Sequence, residues 1–224
     1  MSCGKCISIF GVFSTATLKK PSIFLALITS TCLAVCIMEY QYELKIPKER
    51  VAILIGIGGS IKKKIEQETK SKLDIDSQEG DVFVIGTDAM GLLTAREIVK
   101  AIGRGFNPEF AFLLLKPEYV LELISIRDFA GKSKNDEIRL KGRVIGEAGK
   151  SRKTIEGLTG AYISVYGKTV AILGESERVS MAKRAIDSLL SGSPHSTVYS
   201  WLEKRKKEVE RREMLDSFGV RKIE

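Results

Sequence analysis

Residues 142–159 read Gly-Arg-Val-Ile-Gly-Glu-Ala-Gly-Lys-Ser-Arg-Lys-Thr-Ile-Glu-Gly-Leu-Thr: an apolar helix end, a Gly-x-x-Gly turn and a basic helix start. Sliding the chain by 90 positions lays Leu54, Ile55, Gly56, Gly59, Ile65, Glu66, Thr69 and Ile75 on Val144, Ile145, Gly146, Gly149, Ile155, Glu156, Thr159 and Val165. An internal repeat of this kind fixes the architecture before any single element does. The glycines permit positive φ and leave the backbone bare for close approach. Amides at the second helix's N-terminus point outward at the positive end of its dipole, so the turn can hold a phosphate. Lys150, Arg152 and Lys153 add charge in the second copy, and Lys62, Lys63 and Lys64 in the first.

Around these turns both copies spell the same order of elements. In the first, alternation at Tyr40, Tyr42, Leu44 and Ile46 predicts a strand, and Pro47 opens a helix over 48–55. After the turn a helix is expected over 60–69, with Ile61 and Ile65 facing inward and the three lysines mostly outward. Strands follow at 72–76 and 82–85, and a helix from Asp88 to about 102 should bury Leu92, Leu93, Ile98 and Ile102. The second copy predicts a strand at 120–127, a loop over 131–134, helices over 135–145 and 150–159, strands at 162–166 and 169–173, and a helix over 175–190. Its strand connection is two residues shorter, so Gly86 answers to Gly174, and Arg96 and Ile98 answer to Arg184 and Ile186.

Between the copies lies an apolar connector with Asn107 and Pro108 as the cap and first residue of a short helix. Phe110, Phe112, Leu113, Leu114 and Leu115 are too apolar for a free tether, so we expect them to pack between two domains in one rigid body. At the C-terminal end a charged helix is expected as a solvated tail or partner arm, with Trp201 docking it.

Composition narrows the function. With 224 residues, 44% hydrophobic and 29% charged, the chain is globular, and a net charge of +8 favours a polyanionic partner. Cys3, Cys6, Cys32 and Cys36 all precede residue 37, so the body suits a reducing compartment and offers no thiol nucleophile or metal site. Residues 1–37 carry three lysines, no acid and an uncharged run over 21–38; they read as an extension upstream of a start at Met38, or as an anchor or signal. Without them the net charge falls to +5.

His195 is the only histidine and stands beside Pro194 in a turn, where it reads as a surface or packing residue, or else as an RNA or partner contact. That leaves no acid–base pair for catalysis. Gly149-Lys150-Ser151 ends like a P-loop, but Val144 holds the place of the required glycine and a helix precedes it instead of a strand. A nucleotide hydrolase is therefore the weakest reading. Gly56 and Gly58 fail as a dinucleotide fingerprint because Ile61 replaces the third glycine.

The order strand, helix, Gly-x-x-Gly, helix, strand, strand, helix resembles the eukaryotic-type (type I) KH domain, here in tandem. Closer still, Gly-Ile-Gly-Gly-Ser-Ile-Lys-Lys-Lys-Ile-Glu (56–66), the 142–152 stretch and Ser-Gly-Ser-Pro-His-Ser-Thr-Val-Tyr (191–199) resemble the archaeal tandem-KH ribosome-assembly proteins. These are relatives of the partner of the Nob endonuclease in the Dim-type pre-rRNA processing family. The resemblance implies an α+β fold of two packed type I KH domains over 38–105 and 119–192, a packed linker over 106–118, a charged tail helix over 193–224, and the doubtful apolar extension over 1–37.

It also implies a cytoplasmic, non-enzymatic protein that grips single-stranded RNA, the 3′ end of small-subunit rRNA, without cofactor or metal. The implied protein partners are the Nob-type endonuclease and the alpha subunit of translation initiation factor two, and no membrane is expected for 38–224. The implied grip is Gly56, Ile57, Gly58, Gly59, Ser60, Lys62 and Lys63 in the first copy. In the second it is Arg143, Ile145, Gly146, Glu147, Ala148, Gly149, Lys150, Arg152 and Lys153. Many KH loops carry a basic residue in the middle, and these carry Ile57-Gly58 and Glu147-Ala148, so backbone and flanking cations must do the holding. The alternative is a KH fold kept as a protein-docking scaffold with weak RNA binding.

Overall fold

The computed structural model describes residues 40–131 and 133–217. The readings made for 1–37, including all four cysteines, lie outside the described residues.

Strand β1 (Tyr40–Lys45) leads into helix α1 (Lys48–Ile55), the first glycine turn and α2 (Ser60–Thr69), then β2 (Lys72–Ile75), β3 (Asp81–Gly86) and α3 (Ala89–Gly103). The connector forms α4 (Pro108–Ala111) and a 3-10 turn, Phe112–Leu115. The second copy runs β4 (Tyr119–Ser125), α5 (Arg127–Ala130), α6 (Lys134–Ile145), the second glycine turn, α7 (Lys150–Thr159), β5 (Tyr162–Tyr166), β6 (Thr169–Glu175) and α8 (Ser176–Leu190). Helix α9 (His195–Ser217) closes the described chain. Each copy holds one antiparallel three-stranded sheet with its last strand in the middle, in the orders β1-β3-β2 and β4-β6-β5.

Residues matched by the 90-residue shift turn out to do the same work. Ile65 and Ile155 are fully buried. Thr69 and Thr159 end their helices buried, each hydroxyl donating to the carbonyl four residues back (2.7 and 2.8 Å). Glu66 and Glu156 each accept the backbone N–H of an edge strand, Leu73 and Ile163, both at 2.9 Å. A helix carboxylate thus satisfies a donor that an edge strand would otherwise leave unpaired.

The sheets differ in what covers them. In β3, Val82 and Val84 are buried against the first copy's helices, while Phe83 and Ile85, on the opposite face, are half-buried. In β6 every residue from Val170 through Gly174 is buried. Val170 and Ile172 join the second copy's core, whereas Ala171 and Leu173 join the first copy's, with Leu121 and Leu123 of β4 against it. A strand buried on both faces reads as a continuous apolar run instead of an alternation, which is the pattern of residues 170–173.

The connector completes that contact: Phe106, Ala111 and Leu114 are buried, and the Phe110 ring lies 4.4 Å from that of Tyr162. Ser164 donates to the carbonyl of Arg104 (3.0 Å), and Tyr166 donates to the Glu49 carboxylate (3.1 Å). Burial and that carboxylate raise the Tyr166 pKa. Arg50 fixes the start of the connector by donating to the carbonyls of Ile102 and Phe106 (2.9 and 2.5 Å).

Three expectations need correction. Leu93 is 41% exposed, because the buried stripe of α3 runs through Leu92, Ala95, Ile98, Val99 and Ile102 and Leu93 stands about 100° away from Leu92. The strand expected to reach residue 127 stops at Ser125; Ile126, fully buried, enters the one-turn helix α5, so its period-2 position does not mean strand. Trp201 is 36% exposed, and the side chains that seat the tail are Val198 and Leu202, four apart on α9 and buried in the second copy's core.

Candidate nucleic-acid interface

The two turns share one backbone. Gly56 (φ 71, ψ 178) and Gly146 (φ 73, ψ 175) both hold a conformation reserved for glycine. Space demands glycine too: a Cβ at Gly56 would lie 2.7 Å from Cγ1 of Ile61, and one at Gly146 would lie 2.6 Å from Cβ and 2.7 Å from the backbone nitrogen of Ser151. At the outer positions Gly59 and Gly149 are left-handed (φ 76 and 75), and a Cβ would meet nothing within 4 Å. Between them Gly58 (φ 61, ψ 22) and Ala148 (φ 50, ψ 28) are left-handed as well. Each turn therefore presents bare backbone to solvent at the start of a ten-residue helix.

Side chains around the turns diverge. In the first copy Ile57 is 95% exposed at the tip, Ser60 and Lys63 are exposed and Lys62 is half-buried. Lys64 is drawn off to the connector, its Nζ 4.4 Å from the centre of the Phe112 ring. In the second copy Glu147, Ala148, Lys150 and Lys153 are exposed and Ile145 is partly so. Arg152 lies 3.6 Å from the Glu156 carboxylate, on the side of α7 that meets β5.

Arg143 lines the same space as Glu147 and Lys150, toward the tail. It donates through Nη2 to the carbonyl of Ser193 (2.6 Å), on the side of α6 that meets the tail. His195 bonds through Nε2 to the carbonyl of Arg143 (3.0 Å), and its ring meets that of Tyr199 edge-on at 6.0 Å. The sequence reads His195 as a surface or packing residue, or as an RNA or partner contact, and gives no sign of its tie to the helix that carries the second turn. The position of His195 just after Pro194, where α9 begins, is a signal of a contact but not of its partner. Among the described residues no three His, Cys, Asp or Glu side chains gather as a metal site, and no helix is long and apolar enough to cross a membrane.

A helix, glycine turn and helix laid on a three-stranded sheet, present twice, defines a tandem KH protein. The chain belongs to the KH-domain family: residues 41–101 match the KH domain and residues 120–207 the eukaryotic-type KH domain (type I). It is 54% identical over 172 residues to a KH domain-containing protein of Methanocaldococcus jannaschii, covering 75% of each. It is 34% identical over 113 residues to the RNA-binding protein PNO1 of Oryzias latipes, a match spanning 50% of this chain and 46% of that protein. Among solved structures, Dim2p from Pyrococcus horikoshii superposes with TM-score 0.68 at 46% identity, covering 74% of this chain and 99% of that one. A chain in the complex of a/eIF2alpha, aDim2p and rRNA from the same organism superposes with TM-score 0.70 at 46% identity, covering 76% and 96%.

Proposed function

We propose that the protein is a non-enzymatic, cytoplasmic RNA-binding factor that grips the single-stranded 3′ end of small-subunit rRNA during assembly and maturation of that subunit. The observation that carries this reading is the second turn: open backbone at the positive end of α7, with Lys150, Arg152 and Lys153 beside it. Phosphates are held by amides and cations, and bases lie toward the β5 edge. The complex of a Dim2p relative with rRNA and a/eIF2alpha supports both the RNA and an initiation-factor alpha subunit as partners. A Nob-type endonuclease is the second protein partner.

The scaffold reading applies to the first copy, where the exposed Ile57 and the withdrawal of Lys64 to Phe112 favour protein contact over a phosphate grip. Fluorescence anisotropy with labelled single-stranded RNA of the small-subunit 3′ end tests the proposal. Ala148→Asp should weaken binding more than tenfold with circular dichroism unchanged, and unchanged affinity would hand the second copy to the scaffold reading as well.

A further inference from the structure

Helix α7 has two sides that leave the core. One, through Arg152 and Glu156, faces the β5 edge, where the proposed grip lies. The other, through Ser151 and Thr154, faces α9 across a cavity of about 450 Å³ behind the second turn. Its walls bring together Arg139 and Arg143 of α6, Lys150 and Ser151 at the start of α7, and His195 and Tyr199 of α9.

Three features mark this cavity as a built anion site. First, it opens on the N-terminal turn of α7, the positive end of a ten-residue helix. Second, Ser151 is 3% exposed, and its hydroxyl has no hydrogen-bond partner; the Nε of Arg143 is likewise buried and unpartnered. Buried donors in that state are rare, and a ligand oxygen in the cavity would give the Ser151 hydroxyl its partner. Third, three cations line one small space, against the exposed Glu147 at its rim. Arg139 lies 3.3 Å from Asp136, and Arg143 already gives its Nη2 to the Ser193 carbonyl.

The first copy supplies the contrast. Its corresponding cavity lies between α2 and the connector, but Ile61 stands at the register of Ser151, and Phe112 and Pro108 face it. The space holds three cations in the second copy and one, Lys64, beside the carboxylate of Glu109 in the first.

We infer that the cavity behind the second turn is a phosphate subsite for the RNA strand, holding a phosphate beyond the nucleotides gripped at the turn. This rests on the RNA reading of the second copy. A strand passing over the exposed Lys150 would leave the β5 side of α7 and enter the α9 side, so the tail becomes part of the binding surface.

The test compares a four-nucleotide RNA with RNAs extended by three nucleotides at one end or the other. Wild type should gain affinity on one extension. Ser151→Ala should lose about ten- to hundredfold of that gain, the worth of a hydrogen bond to a charged group, and bind the four-nucleotide RNA as before. Ser151→Ile, which copies the first repeat's residue, should lose the gain entirely, and thermal melts check that both variants fold. Retention of the full gain in both variants, or equal weakening on short and long RNA, overturns the subsite while leaving the RNA reading intact. If wild type binds none of these RNAs, that reading falls and the subsite with it. Inorganic phosphate is the separate arm: Ser151-dependent binding seen by phosphorus NMR, without any length effect on RNA, would overturn the RNA assignment in favour of a free anion.

Discussion

At the tip of the first turn stands Ile57, bare to solvent beside Gly58; at the tip of the second stand Glu147 and Ala148, and Ala148 keeps the left-handed shape at φ 50 that Gly58 takes at φ 61. One backbone carries two different surfaces. The first copy's turn is tied to apolar side chains and to the connector: Lys64 lies over Phe112, and Ile61 presses on Gly56. The second copy's surroundings are cationic and linked to the tail through Arg143 and His195. A KH turn's shape is thus set by its glycines, whereas what it holds is set by residues outside it.

The largest expected effect breaks the shape. Gly146→Ala forces a Cβ against the backbone of Ser151 in a glycine-only conformation and should lower stability by about 2–3 kcal/mol. Gly56→Ala meets mainly the side chain of Ile61, which can turn aside, and should cost less in the same urea titration. Equal losses would mean that strain alone, and not the neighbour, sets the requirement.

Next comes the charge. Ala148→Asp should cost RNA binding more than ~1.4 kcal/mol, a factor above ten. The fold should persist, because aspartate tolerates the left-handed region. Gly58→Asp, which meets nothing within 4 Å, should cost less if the first copy is the weaker reader.

Salt dependence sharpens the contrast. Lys150→Gln should flatten the slope of log affinity against log salt by about 0.7 of a unit on single-stranded RNA, while Lys64→Gln, whose ammonium already faces Phe112, should leave it unchanged. Smallest of all, Ala148→Gly should stabilise by about half a kcal/mol, since relief of left-handed strain outweighs the looser unfolded chain, and Gly58→Ala should destabilise by a similar amount.

Much of this was legible in the chain. The 90-residue register set out both turns and the matched Ile, Glu and Thr, and periodicity found α1, α2 and β5 to the residue. What local pattern could not convey was which partner meets each face. Leu93 and Trp201 are apolar side chains whose burial depends on where their helices dock, and both came out exposed. Arg143 looked like a member of the turn's cationic surround, but a contact 50 residues away turns it toward the tail. Ser151 looked like a P-loop residue in the wrong place; its unpartnered hydroxyl is visible only once α9 walls the space beside it.

The double burial of β6 carries a consequence for the order of synthesis. As the chain leaves the ribosome, α3 and the connector are complete before Leu121, Leu123, Ala171 and Leu173 exist to cover them. The first copy must wait with that apolar surface uncovered until the last strand of the second arrives, a contact between sequence-distant segments that forms late. Either half expressed alone would expose its share of the shared core and tend to aggregate. The intact body should instead melt in one cooperative transition, however sharply its two turns differ in what they bind.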